Sequence, residues 1–159
     1  MPDDLNPIFM ERAIALAVEN VRSGRGGPFA AVIVREGKII GEGTNSVTTT
    51  NDPTAHGEIN AIRDACRALN TFSLKGCVIY TSCEPCPMCL AAIYWARLDA
   101  IYFSGDCTDA SRAGFDDSFI YEELRQHRDH RTIPARRLLP ERGWESFQSW
   151  MDAPERTEY

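Results

Sequence analysis

Three of the chain's six cysteines fall within seven positions, Cys83 to Cys89, and two of them sit in the run Pro85-Cys86-Pro87-Met88-Cys89. No other stretch narrows the fold as much. Proline at a first helical position gives up no hydrogen bond, so Pro87 places a helix start beside Cys86. Cys86 and Cys89 are three residues apart, and one helical turn points both sulfurs at one place. A helix N-terminus there favours thiolate over thiol. An even cysteine count invites a disulfide reading, but a chain of 159 residues buries about two-thirds of its unfolded surface and needs no staples. Clustered cysteines in such a chain point to metal or redox chemistry.

The second element is His56-Gly57-Glu58. In mid-helix a step of two residues separates side chains by about 200°. The pair converges only if a helix begins at about His56, and Asp52-Pro53-Thr54 supports a start there, with Thr54 as its cap. His56, Cys86 and Cys89 then make three donors of the kind zinc prefers. A structural zinc takes four protein ligands, whereas a catalytic zinc keeps one position for water. The expectation is one Zn2+ with a bound water or hydroxide, and Glu58 beside it moving that water's proton. Other readings of these residues explain less. A Cys86/Cys89 redox pair leaves His56 and Glu58 unexplained. Cys83 as a fourth ligand closes the water position. Cys66, Cys77 and Cys107 read as small buried residues, and His127 and His130 as solvated.

Along the chain, residues 8–22 read as a helix with Met10, Ile14, Ala17 and Val21 as its buried stripe. Ser23-Gly24-Arg25-Gly26-Gly27-Pro28 breaks it. Strands are expected at Phe29–Val34 and Lys38–Gly43, joined by a Glu36-Gly37 hairpin turn, and again at Cys77–Tyr80 and Ala100–Phe103. Asn45–Pro53 reads as a loop. Helices are expected over Ala55–Leu69, with Ile59, Ile62, Cys66 and Leu69 buried, over Met88–Arg97 and over Asp117–Gln126. This alternation argues an α/β layer with mainly parallel later strands. A core of about 1–110 would carry an appendage, about 111–159, within one domain. In the appendage, Arg125–Arg142 holds six arginines against Asp129 and Glu141.

Composition excludes several classes. The 17 basic and 23 acidic residues give a net charge of −6, a poor default for binding nucleic acid or anionic membrane. No run approaches the ~20 apolar residues of a membrane span. The acidic start, Met1-Pro2-Asp3-Asp4, has no apolar core after it, so no secretory signal is visible. A cytoplasmic location is expected.

The pattern H-x-E…P-C-x-x-C is that of the zinc deaminases. With Gly26-Gly27-Pro28-Phe29, Asn51-Asp52-Pro53-Thr54-Ala55-His56-Gly57-Glu58, Thr81-Ser82-Cys83-Glu84-Pro85-Cys86-Pro87-Met88-Cys89, Phe115-Asp116-Asp117 and a terminal Glu158-Tyr159, the chain resembles the cytidine deaminase superfamily, and within it the bacterial guanine deaminases. The resemblance implies a three-layer α/β/α fold around a mixed five-stranded sheet. It implies zinc on His56, Cys86 and Cys89, and Glu58 as the catalytic proton carrier. It further implies Asn45 anchoring the base, Phe29 and Trp95 around the ring, Asp117 on the polar edge of the purine and Tyr159 closing the pocket. A homodimer exchanging its C-terminal segment is implied as well. The implied reaction is hydrolysis of guanine to xanthine and ammonia. Alternatives are deamination of guanosine or another nucleobase or aminotriazine, a tRNA adenosine deaminase, or a purely structural zinc module. Gly57 departs from the family's usual alanine. It weakens the first helical turn by up to about 1 kcal/mol and is expected to leave more room beside the metal.

Overall fold

A computed structural model describes residues 5–159; the acidic Met1–Asp4 start lies outside the described residues. Asn6 caps helix α1 (Pro7–Arg22) by accepting from the Ile8 N–H. Strands β1 (Ala30–Arg35) and β2 (Lys38–Thr44) form an antiparallel hairpin. Glu36 and Gly37 both take positive φ at its tip, the twist-matching turn that the Glu-Gly pair signals. A short helical turn, α2 (Val47–Thr50), interrupts the expected loop and ends on a left-handed Asn51. Helix α3 (Gly57–Leu69), strand β3 (Val78–Cys83), helix α4 (Pro87–Trp95) and strand β4 (Ala100–Gly105) follow. Helix α5 (Cys107–Arg112) closes the series.

The strands run in the order β2-β1-β3-β4. β3 is antiparallel to β1 and parallel to β4, as the α4 crossover requires. Side chains alternate across this sheet. Ala30, Val32, Val34, Val78 and Tyr80 pack against α1 through Phe9, Leu16 and Ala17. Ala31, Ile33 and Ile79 pack on the other side with Ala61, Ala65 and Ile93 of α3 and α4. The result is the expected three-layer α/β/α order.

Several expectations need correcting. The described residues hold four strands rather than five. Beyond β4 the chain turns at once into α5, whose start is fixed by a reciprocal capping box between Asp106 and Asp109, and no β-branched run follows to extend the sheet. The buried stripe of α1 is Phe9, Ala13, Leu16, Ala17 and Asn20; Ile14 and Val21 face outward. This helix carries two overlapping apolar stripes, and spacing alone does not choose between them. In α3 the innermost residues are Gly57, Ala61 and Ala65, because a Cβ on Gly41 or Gly43 of β2 would strike the α3 backbone. Only small residues let helix and strand approach that closely. Cys107 is exposed at the start of α5, whereas Cys77 is buried and Cys66 packs against the core.

Residues up to Asp117 form one compact unit, and Ser118–Tyr159 form a second. The second unit contains helices α6 (Ser118–Arg125) and α7 (Glu145–Asp152), with a single 3-10 turn at Arg128–His130 between them. His127 and His130 are exposed there.

Candidate active site

The site begins at two helix starts on one end of the sheet. His56 is the residue just before α3 and Cys86 the residue just before α4. Side chains at such positions ordinarily cap the helix, yet neither makes a cap bond. Both turn toward a common point instead. His56 Nδ1 lies 3.6 Å from Cys86 Sγ and 3.5 Å from Cys89 Sγ. All three donor atoms fall within 4.8 Å of one another.

These separations test whether zinc fits. A tetrahedral zinc with Zn–N of about 2.0–2.1 Å and Zn–S of about 2.3 Å sets N···S edges of about 3.5–3.6 Å. Both edges match, and one imidazole with two sulfurs is a zinc donor set. Cys83 is not in the group; its thiol donates to the Asp106 carbonyl at 3.7 Å, and burial pushes it up to about 11.

Thr54 does not cap α3. Its N–H and hydroxyl both donate to Asp52 Oδ1, at 2.8 and 2.7 Å. The turn they close delivers His56 to the helix start, which leaves Glu58 in the first turn of α3. Glu58 is 6% exposed. Burial raises its carboxyl above the ordinary range, and its side chain is within hydrogen-bonding reach of Cys89. The hydrogen bond from Cys89 draws Cys86 down to about 4 and pushes Cys89 upward. Hydrogen bonding to Cys86 raises His56.

A cavity of about 530 Å³ opens over His56, Glu58 and Cys86, within the size range of small-molecule sites. Asn45, Phe29 and Asp117, each expected in the site, line it. Asn45 Oδ1 accepts from the Gly27 and Val47 N–H groups, both at 3.3 Å. Two backbone donors settle which end of the amide is oxygen, so the NH2 is the group left to meet a ligand. Burial raises the Asp117 carboxyl. Phe115 also lines the cavity and meets Phe29 edge-on at 4.9 Å. Its signal in the sequence is its place in the segment Phe115-Asp116-Asp117 that carries the resemblance.

Trp95 and Tyr159, also expected in the site, are both exposed. Trp95, near the end of α4, is 66% exposed and flanks a shallow surface groove with Ala91, Tyr94 and Arg97. Tyr159 ends the second unit with its side chain 72% exposed. Gly57 opens no space at the metal side. A Cβ there would lie 2.8 Å from Ala30 Cα and 3.0 Å from Phe29 O, so its missing side chain faces the sheet.

Comparison with known proteins agrees with this geometry. Residues 5–105 match the cytidine and deoxycytidylate deaminase zinc-binding region. The chain is 53% identical to a guanine deaminase of Bacillus subtilis over 95% of its own length and 97% of that protein's. The X-ray structure of guanine deaminase from Bacillus subtilis superposes with a TM-score of 0.94, at 52% identity, covering 97% of this chain and 98% of that one. A guanine deaminase structure from Nitrosomonas europaea gives a TM-score of 0.64 at 32% identity, over 69% of this chain and 63% of that one. A tRNA-specific adenosine deaminase of Aquifex aeolicus is 49% identical, but over 48% of this chain and 51% of its own length. The chain belongs to the zinc-binding cytidine and deoxycytidylate deaminase family and is a homologue of its guanine deaminases.

Proposed function

We propose that the chain hydrolyses guanine to xanthine and ammonia, a step of purine breakdown. The observation that carries the substrate is the extent of the likeness. Similarity to the Bacillus guanine deaminase runs over 95% of the chain, whereas the Aquifex tRNA adenosine deaminase matches 48%. The two units act in this reading as one deaminase domain.

His56, Cys86 and Cys89 are the residues that would hold a single zinc. When bound, it supplies the acidity that makes water a nucleophile at neutral pH. Glu58, buried and disposed to hold a proton, takes one from the attacking water. Water adds at the amino-bearing carbon, C2 of guanine. Glu58 passes that proton to the ring nitrogen, takes the second from the hydroxyl now on C2 and delivers it to the departing amine; C2=O forms, the C–N bond breaks and ammonia leaves. The Asn45 NH2 donates to an acceptor on the base. Phe29 and Phe115 hold the ring, and Asp117 accepts from its polar edge.

The chain works as a homodimer that exchanges its C-terminal segment, so that Tyr159 closes a pocket and Trp95 contributes to one in the assembled dimer. Support comes from the second unit, which exposes Leu138, Trp144, Phe147 and Tyr159. No helix among the described residues is long and apolar enough to cross a membrane. All six cysteines are free, which suits a reducing cytoplasm.

The test is ammonia release across guanine, guanosine, adenine, cytosine, an aminotriazine and an adenosine-bearing tRNA, with a zinc-depleted control. Turnover confined to guanine is expected; a preference for tRNA overturns the reading. Deleting Tyr159 raises KM for guanine while zinc content holds. Light scattering reads the dimer directly, and a monomer at micromolar concentration removes the exchange.

A further inference from the structure

Among the buried polar side chains, Thr81 and Asn20 have no place in the chemistry above; Thr81 is satisfied by donating to the Cys83 carbonyl at 3.0 Å, and Asn20 is not fully satisfied. Asn20 lies on the inner face of α1 with none of its surface exposed. Its amide NH2 donates to the Gly27 carbonyl at 2.9 Å and to the Asn45 carbonyl at 2.8 Å. Its own backbone carbonyl accepts from the Arg25 N–H at 3.0 Å and from the Ser23 hydroxyl at 3.2 Å. Its Oδ1 has no hydrogen-bond partner among the described residues. Burying an amide with half its capacity unmet is unfavourable, and an apolar residue would fill that site without the loss. The two bonds it does make join two segments that both line the cavity.

We infer that Asn20 is a positioning residue that sets substrate capture by holding the Gly24–Pro28 loop against Asn45. The coupling is short. Asn20 fixes the carbonyls of Gly27 and Asn45. That closeness lets the Gly27 N–H meet Asn45 Oδ1, which turns the Asn45 NH2 toward the base. Gly26 belongs to the same contact. A Cβ there would lie 2.0 Å from the Asn45 carbonyl oxygen and 3.1 Å from the Asn20 amide nitrogen, so the loop closes on Asn45 only with glycine at that position. Asn20 touches no substrate; it acts through the direction of the Asn45 amide.

The inference rests on Asn45 holding the base, and its test separates the two. In Asn20→Ala, KM for guanine rises about tenfold, the loss of roughly one net hydrogen bond's worth of orientation. kcat falls less than about threefold and zinc content is unchanged. The double variant Asn20→Ala/Asn45→Ala is no worse in kcat/KM than Asn45→Ala alone, because residues acting through one group do not add. Multiplying losses overturn the inference. Gly26→Ala disturbs the contact from the loop side without changing any residue of α1, and the same non-additivity with Asn45→Ala is expected if Asn20→Ala folds poorly. Independently of any substrate, hydrogen exchange at the Gly27 and Val47 amides speeds up in Asn20→Ala while the β1 amides keep their protection. Unchanged exchange at both amides also overturns the inference. An enzyme inactive on guanine whose exchange responds as stated defeats the functional reading and leaves the latch standing.

Discussion

The residues up to Asp117 and the residues from Ser118 onward treat their apolar side chains in opposite ways. In the first unit, Val32, Ile33, Val34, Leu74 and Ile79 have no exposed surface. In the second, no described residue is buried, although it carries Phe119, Leu138, Trp144, Phe147 and Trp150. At about 25 cal/mol per Å2 of apolar surface removed from water, the first unit has within itself the main term that holds a fold together. The second has helices α6 and α7 with amphipathic sequence and little to cover them. The difference teaches where autonomy ends: one unit organises metal donors on its own core, while the other leaves its large apolar side chains exposed.

Four experiments would break or sharpen this contrast. The largest effect belongs to the first unit's chemistry. Glu58→Gln keeps the fold and the bound zinc and lowers kcat by about 10²–10⁴-fold; steady-state rates beside metal analysis read this, and a near wild-type rate removes Glu58 from proton transfer. Next, a fragment of residues 118–159 alone is largely without helix by circular dichroism, since helices of eight residues are marginal in isolation. A stable fold for that fragment erases the contrast.

Third, Gly57→Ala sets two magnitudes against each other. Helix propensity favours alanine by up to about 1 kcal/mol. The new Cβ would lie 2.8 Å from Ala30 Cα and 2.8–3.0 Å is a backbone contact that cannot swing away. Overpacking of this kind typically destabilises by about 1–3 kcal/mol, so a net loss is expected in denaturant melts; a gain shows that α3 can shift from the sheet. The smallest effect is Asp52→Ala. The Thr54 hydrogen bonds hold the Asp52 carboxyl below its ordinary range. A depressed carboxyl stabilises above the unfolded value of about 3.9 and loses that contribution as pH falls through the folded value. The melting difference between wild type and variant is therefore largest near neutrality and fades in acid. A difference that grows in acid contradicts the bond.

How far the sequence could be read varied with the physics involved. The sheet strands were legible because β-branched runs bounded by turn residues have few alternatives, and the Glu36-Gly37 turn carried its own signature. The convergence of His56, Cys86 and Cys89 followed from spacing at two helix starts. The inner face of α1 was not legible, because Asn20, a polar residue, occupies it while Ile14 and Val21 remain outside. Thr54 stands two residues before the cap position: its hydroxyl bonds backward to Asp52, leaving the cap position to a histidine committed elsewhere. A fifth strand was expected from likeness rather than from residues, and the Asp106–Asp109 box ends the sheet instead. Phe115 enters the cavity through tertiary packing on Phe29, which no local pattern encodes.

The uncapped starts of α3 and α4 have one more consequence. Each presents the positive end of a helix dipole, and the two ends converge on the same donors. Like ends brought together repel unless negative charge lies between them. The Cys86 sulfur, at the start of α4, is placed to supply it as a thiolate, the form a helix N-terminus favours. Alkylating this sulfur would thus do more than remove a donor: it would also take away the negative charge on which the two helix starts converge, so the junction between α3 and α4 is where chemical damage and loss of local order become the same event.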